Sequence, residues 1–248
     1  DMGGYDKISK VFAEYITGKG SELNLNTSIK KIEVKNGKVD GITLTNGEFI
    51  PSNCVVVTFP AYLAINQLFD NGVFDQKFIE SVNRLNKTTS VIEVHFALSE
   101  KIDSRQIVFP VGKDYVCKGI FFISNITQSV SPPDEHLMIV GTPVSPDDAN
   151  NSQKITEVVT KMKEELSSIY PKFQQALLWD RPKAWSLVES VVKEPGLVWK
   201  NKMPHEVSQV KGLFFVGDST VSYGIGTDSA AHSSILCHPK IISYLKNT

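Results

Sequence analysis

The stretch Lys211–Ser234, "KGLFFVGDSTVSYGIGTDSAAHSS", decides how the chain reads. Leu213 to Val216 form a short continuous apolar run, as in a strand buried on both faces, and the run stops at Gly217–Asp218. Gly217 lets backbone approach a ligand where a Cβ would clash. Asp218, just past the carboxyl end of the strand, can accept hydrogen bonds from the hydroxyls of a sugar or sugar alcohol. Gly224, Ile225 and Gly226 make a tight turn into Thr227, where a helix is expected to begin. The N–H groups of such a start point outward and favour negative charge by about 0.3–1 kcal/mol when exposed. Ser229, Ala230 and Ala231 are small enough for that helix to approach its neighbours closely. A plain strand–turn–helix connection with an aspartate cap is the competing reading. "GIGTDS" is not a dinucleotide fingerprint, because Ser229 stands where the third glycine would be.

The N-terminal sequence prepares a partner for that strand. Ile8, Val11, Phe12, Tyr15 and Ile16 recur at helical spacing and predict a helix with one core-facing side, ending near Gly18 or Gly20. "ELNL", "SIKKIEV", "KVDGITLT" and "EFI" alternate apolar and polar residues around the Asn-Gly turns of "KNGK" and "TNGE", the pattern of a β-meander. "NCVVVTFP" then reads as an interior strand buried on both faces. From Ala61 the style changes. "AYLAINQLF" and "DQKFIESVNRL" predict short helices, while "TTSVIEVHFAL", "CKGIFFISNI", "EHLMIVGTPV" and "AWSLVESVV" predict strands. Ile155, Val158, Val159, Met162, Leu166 and Ile169 mark one face of a long helix stopped by Pro171. The simplest architecture is mixed α/β (α+β) and discontinuous. Residues 1–68 with 205–248 form one domain, and 69–204 form a second sheet-and-helix domain. A helix at the very first residues, with no strand before it, predicts a chain cut from something longer.

Composition narrows the function classes. A formal net charge of -1 and scattered basic residues give no expectation of nucleic acid or of an anionic membrane surface. No apolar run approaches the roughly 20 residues that span a bilayer. Cys54, Cys117 and Cys237 are far apart and odd in number, which argues against a disulfide framework and for small buried hydrophobes in a reducing, cytoplasmic compartment. The five histidines form no H-x-x-x-H or H-E-x-x-H pair, so no metal site is expected. No G-x-S-x-G elbow supports a hydrolase triad.

Two blocks together point further. "DMGGYDKISKVFAEYITGKGSELNLNTSIKKIEVKNGKVDGITLTNGEFIPSNCVVVTFP" resembles a passage of the FAD-dependent amine oxidase and phytoene desaturase superfamily, where a Gly-Gly helix leads to a strand, a hairpin and a proline-ended strand. "KGLFFVGDSTVSYGIGTDSAAHSSI" looks like the C-terminal flavin motif of the same superfamily. The blocks occur in the right order and cover somewhat under half the chain. The resemblance implies a partial FAD-binding, Rossmann-like domain with a β-meander, joined to a substrate domain. By similarity Asp218 binds the FAD ribitol and Gly217 lets the phosphate linker pass. The turn Gly224–Thr227 faces the phosphate or the N1–C2=O edge of the flavin, Ile29 falls where backbone holds adenine, and Thr58, Phe59 and Pro60 lie beside the cofactor. The superfamily's G-x-G-x-x-G segment is absent among the 16 glycines. The resemblance therefore implies FAD as cofactor without implying that this chain alone retains it. It also implies the missing N-terminal half of the enzyme as a partner, and a long sheet edge open to pairing or dimerisation.

The implied activity is an FAD-dependent oxidoreductase taking hydride from an apolar or amine small molecule, with the flavin carrying the chemistry and no protein catalytic base assigned. The alternative is a non-catalytic lipid- or prenyl-binding protein of the GDP-dissociation-inhibitor-like fold, which has less reason to keep Asp218 and its glycine turn. Tyr223 is the aromatic expected to face the flavin. Trp179, Trp185 and Trp199 line an apolar pocket or simply pack.

Overall fold

A computed structural model describes residues 6–112 and 114–248. The Gly3–Gly4 pair that opens the N-terminal resemblance lies outside the described residues, as does Lys113 of an expected surface loop. In chain order the elements are α1 (Asp6–Gly18), β1 (Ile29–Lys35), β2 (Lys38–Leu44), β3 (Phe49–Pro51), β4 (Val55–Val57), α2 (Ala61–Gln67) and α3 (Gln76–Asn83). They continue with β5 (Thr89–Leu98), β6 (Ile107–Val108), β7 (Gly119–Phe122), β8 (His136–Val144), α4 (Ser152–Ile169), β9 (Leu177–Glu189), β10 (Leu213–Phe215) and α5 (Gly226–Lys246). The chain divides into two units, one built from Asn24–Thr88 with Glu189–Thr248, the other from Thr89–Val188 with the N-terminal stretch through Leu23.

The second of these is the sheet unit. Its five strands run in the order β6-β7-β8-β5-β9, and β5 pairs antiparallel with β8 from Ser90 opposite Val144 to Leu98 opposite His136. Alternation along β5 puts Ile92, Val94 and Phe96 on the buried face with Met138 and Val140 of β8. Helix α4 covers that face with Val159, Met162 and Leu166, spaced three and four apart on one stripe. Its start is fixed by Asn151, whose side chain accepts from the Lys154 N–H (3.1 Å). Helix α1 forms where its periodicity predicts and ends in a glycine-assisted cap, yet none of its residues is buried. The expected core-facing side is therefore uncovered among the described residues. An amphipathic pattern specifies which face would bury, and it carries no information about whether a partner is present.

The other unit holds the glycine-rich turn. Strands β1, β2 and β3 form the antiparallel meander, closed between β1 and β2 by Asn36 and Gly37, both at positive φ (52° and 69°) as a primed turn needs. The Ile32 N–H donates to the Leu68 carbonyl (2.8 Å), tying β1 to the end of α2. Strands β4 and β10 pair in parallel, Val55–Val57 against Leu213–Phe215. "ELNL" forms no strand, since no neighbouring strand pairs with it. Strand β4 is three residues long with Val56 exposed, so it is not buried on both faces and its edge is short, not the long one expected. The core gathers Ile32, Val57, Ala61, Ile65, Val82, Leu85, Val191, Leu197, Met203 and Phe215. This core also holds Phe74 and draws residues 69–88 and 189–204 into the unit, so the seams fall at 88/89 and 188/189 instead of 68/69 and 204/205, and a further seam at 23/24 leaves α1, expected in this unit, with the sheet unit.

Candidate functional site

Two parallel strands end side by side at Val57 and Phe215, and every residue predicted to bind except Ile29 follows one of them. Gly217 has φ 125°, and a Cβ there would stand 3.2 Å from the Thr58 carbonyl oxygen. Only glycine allows that approach without strain. Thr58 and Phe59 are exposed, Pro60 is half-buried, and the Ala61 N–H donates to Ser219 Oγ (3.2 Å). The structure thus brings Thr58 against Gly217 and Ala61 against Ser219. Gly224 (φ 81°) sits over the first turn of α5, where its Cβ would meet Asp228 Cβ at 3.2 Å. Ile225 precedes α5 without a side-chain cap to the helix. Gly226 and Thr227 open the helix, and Ile225 and Thr227 are exposed. Ile29 stands elsewhere in the unit, as the first residue of β1, paired with Leu44.

Asp218 is engaged. One carboxylate oxygen accepts from the Ser190 N–H (2.8 Å) and the other from the Ser190 hydroxyl. A carboxylate oxygen can accept more than one hydrogen bond, so polyol hydroxyls can add to this pair or compete with it. Beside it, Tyr62 Oη is buried with no hydrogen-bond partner among the described residues. Burial, and then the charge of Asp218, push the Tyr62 phenol up.

Sequence reasoning missed what lies beneath the turn. Lys202 is 5% exposed, and its ammonium donates to the Asp218 carbonyl oxygen (2.9 Å), Ser222 Oγ (2.7 Å) and Ser229 Oγ (3.0 Å). Burial first, and then the positive charge of Lys193, bring its pKa down to about 8, against the pull of Asp218 and Glu189. Around it runs a hydroxyl network. Ser222 donates to the Thr220 carbonyl (2.9 Å) and shares a hydrogen bond with Ser229 (2.7 Å). Thr220 donates to the Gly217 carbonyl (2.8 Å), and the Gly217 N–H donates to Ser233 Oγ (3.0 Å). Ser229, Ser233 and Cys237 are the three buried residues of α5. Their four-residue spacing is visible in the sequence and was the available signal. His205 is also buried, its Nδ1 on the Phe215 carbonyl oxygen (3.0 Å) and its pKa lowered by burial.

The aromatics divide. Tyr223 is exposed and meets Trp199 (centroids 4.1 Å) and His232 (5.1 Å) with tilted rings, and its N–H donates to His232 Nδ1 (2.9 Å). Trp179 and Trp185 lie on β9 in the sheet unit and are exposed.

A flavin's polyol and carbonyl edge suit this arrangement in part. The backbone approach at Gly217, the orphaned Tyr62 hydroxyl and the start of α5, which no side chain caps, fit such a group, while Ser190 already occupies Asp218. Among the described residues no three metal-ligating side chains cluster, and no helix is long and apolar enough to cross a membrane.

Comparison with known proteins gives the context. The sequence profile of the flavin containing amine oxidoreductase family matches residues 2–237. The chain is 26% identical over 257 residues to the soybean (Glycine max) protein named 15-cis-phytoene desaturase, covering 96% of this chain and 42% of that protein. It is 23% identical over 277 residues to the carrot (Daucus carota) prolycopene isomerase, covering 98% and 44%. An oxidoreductase structure from Methanosarcina mazei superposes with a TM-score of 0.72 at 18% identity, covering 93% of this chain and 53% of that one. This last likeness is one of fold. The chain spans about two-fifths of the length of these curated relatives.

Proposed function

We propose a function from one premise: the chain belongs to the flavin-containing amine oxidoreductase family. In our reading it supplies one wall of an FAD site in a longer oxidoreductase that takes hydride from a small apolar or amine substrate. The observation that carries this is Gly217–Asp218. A glycine at positive φ against the Thr58 carbonyl puts a carboxylate at the shared carboxyl end of two parallel strands, where open α/β sheets bind their ligands.

Asp218 would accept from the ribityl hydroxyls, with Ser190 holding the carboxylate in place. Gly226 and Thr227 would turn their N–H groups toward the flavin's carbonyl edge, where developing negative charge is favoured. Thr58–Pro60 would flank the ring, and Ile29 would reach the adenine end. When bound, the flavin supplies the hydride acceptor, and the protein's part is orientation and polarisation. The names of the soybean and carrot relatives favour an apolar hydrocarbon substrate over an amine. The partner is the remainder of the same polypeptide. Among the described residues β4 pairs only with β10, which leaves its other edge for a further strand.

The test is the visible spectrum of the full-length protein after FAD is added. A yellow protein bleached by dithionite supports the reading. A colourless protein that ignores FAD favours a lipid-binding role. Asp218→Ala is expected to lower FAD occupancy at least tenfold, and unchanged occupancy would remove Asp218 from the site.

A further inference from the structure

We infer that Lys202 is a positioning residue: its buried ammonium joins the Asp218 backbone to the first turn of α5, so that the glycine-rich turn holds its ligand-binding shape as one piece. Glycines permit the path of residues 217–226, but permission is not rigidity, since glycine has more conformations to lose than any other residue. The stiffness comes from below. Lys202 offers three N–H donors and finds three acceptors on three parts of the motif: the carbonyl after the strand, the hydroxyl of Ser222 in the turn, and the hydroxyl of Ser229 in the helix. The adjacent backbone is stitched in the same register, with the Met203 N–H on the Ser219 carbonyl (3.2 Å) and the Val221 N–H on the Met203 carbonyl (2.8 Å). Ser229 and Ser222 have only one proton each. Without the lysine, the two buried hydroxyls would lose a donor in a place closed to water, and the Asp218 carbonyl would lose its tie to them.

Charge matters as well as shape. The charged groups that act on this ammonium are Lys193, which opposes its proton, and Asp218 and Glu189, which favour it. When the proton leaves, Lys202, Ser222 and Ser229 together have four protons for the five hydrogen bonds they make with one another and with the Asp218 and Thr220 carbonyls, so one bond of this network must open. The turn should therefore loosen as pH rises through the lysine's titration. This consequence rests on the flavin reading only where a flavin is the probe.

The experiment compares full-length wild type with Lys202→Met, a similar volume without charge or donors. Two readouts are taken: amide hydrogen exchange over 217–229, and FAD affinity by fluorescence quenching between about pH 7 and 9.5. In Lys202→Met we expect exchange over 217–229 to rise at least tenfold while the meander strands keep their protection, and FAD affinity to fall at least tenfold. Wild-type affinity should drop about fivefold across the pH range, and the variant's should be flat. Unchanged exchange in the variant overturns the inference whether or not FAD binds. Failure of the wild type to bind FAD sinks the flavin reading and leaves the exchange result to judge Lys202. Binding by both proteins with equal affinity and parallel pH profiles overturns the inference and spares the flavin reading.

Discussion

Around Phe96 and Met138 the sheet unit fills its interior with apolar side chains, whereas under Gly217 the other unit buries Lys202, Thr220, Ser222, Ser229 and Ser233. The two regions are held by different physics. Apolar burial is non-directional and roughly proportional to the area removed from water, so the sheet core tolerates approximate geometry. A buried polar network stabilises only when every donor meets an acceptor, and it fixes one geometry when it does. The first kind of packing suits a scaffold, the second a surface that must present backbone groups to a ligand at set positions.

The largest expected effect strikes the apolar side of this contrast. Phe173 is fully buried and meets Phe96 edge to face, with ring centroids 5.3 Å apart. Phe173→Ala should cost about 3–5 kcal/mol in urea unfolding, through lost transfer free energy and the cavity left behind. A cost under about 1 kcal/mol would mean that this core is not what holds the unit.

A smaller effect is expected at the turn. Gly217→Val places a β-branched residue at φ 125°, with its Cβ 3.2 Å from the Thr58 carbonyl oxygen. About 2–3 kcal/mol of stability should be lost, as for other residues forced into sparsely populated backbone regions. Thermal unfolding measures this. A neutral substitution would show that the approach of the two strand ends is looser than the structure has it, and would blur the contrast between the regions.

Legibility in the sequence follows the same division. Strands β5 and β8 and helix α4 could be read because periodicity reports which face is buried, and their cores are filled by that face alone. The Asn36–Gly37 hairpin was legible because its turn demands positive φ. Strand β4 was over-read: "NCVVVTFP" has the composition of an interior strand, but a strand's neighbours are a tertiary property, and Val56 is exposed. At the site, the glycines and Asp218 announced themselves by type and order. Ser190 and Lys202 did not, because each lies in a different loop from the turn it serves, and nothing in "VESVV" or "KNKMPH" marks a residue as buried against sequence 16 or 28 positions away. A lysine in a polar loop is solvated by default. Only the fold turns this one into an interior group.

The finest probe of the contrast is the pH dependence of stability, and it turns on a sign. Lys202 titrates at 10.5 in an unfolded chain and at about 8 in the folded one, chiefly because burial disfavours its charge. Between those values the unfolded state binds more protons than the folded state, so this group makes the protein more stable as pH rises. From about pH 7.5 to 9 the gain is about 1 kcal/mol. Other groups titrate in the same interval, so the quantity to measure is the difference between the unfolding free energies of wild type and Lys202→Met at each pH. That difference should shift by about 1 kcal/mol in favour of wild type across the interval. Over the same range the turn should loosen, since the hydrogen-bond network around the neutral amine is then one proton short. A lysine that is only buried would make stability rise with pH and leave turn protection unchanged. A buried cation that organises a binding surface at a cost in stability moves them in opposite directions, and curves that run parallel for the two proteins would leave Lys202 no such part.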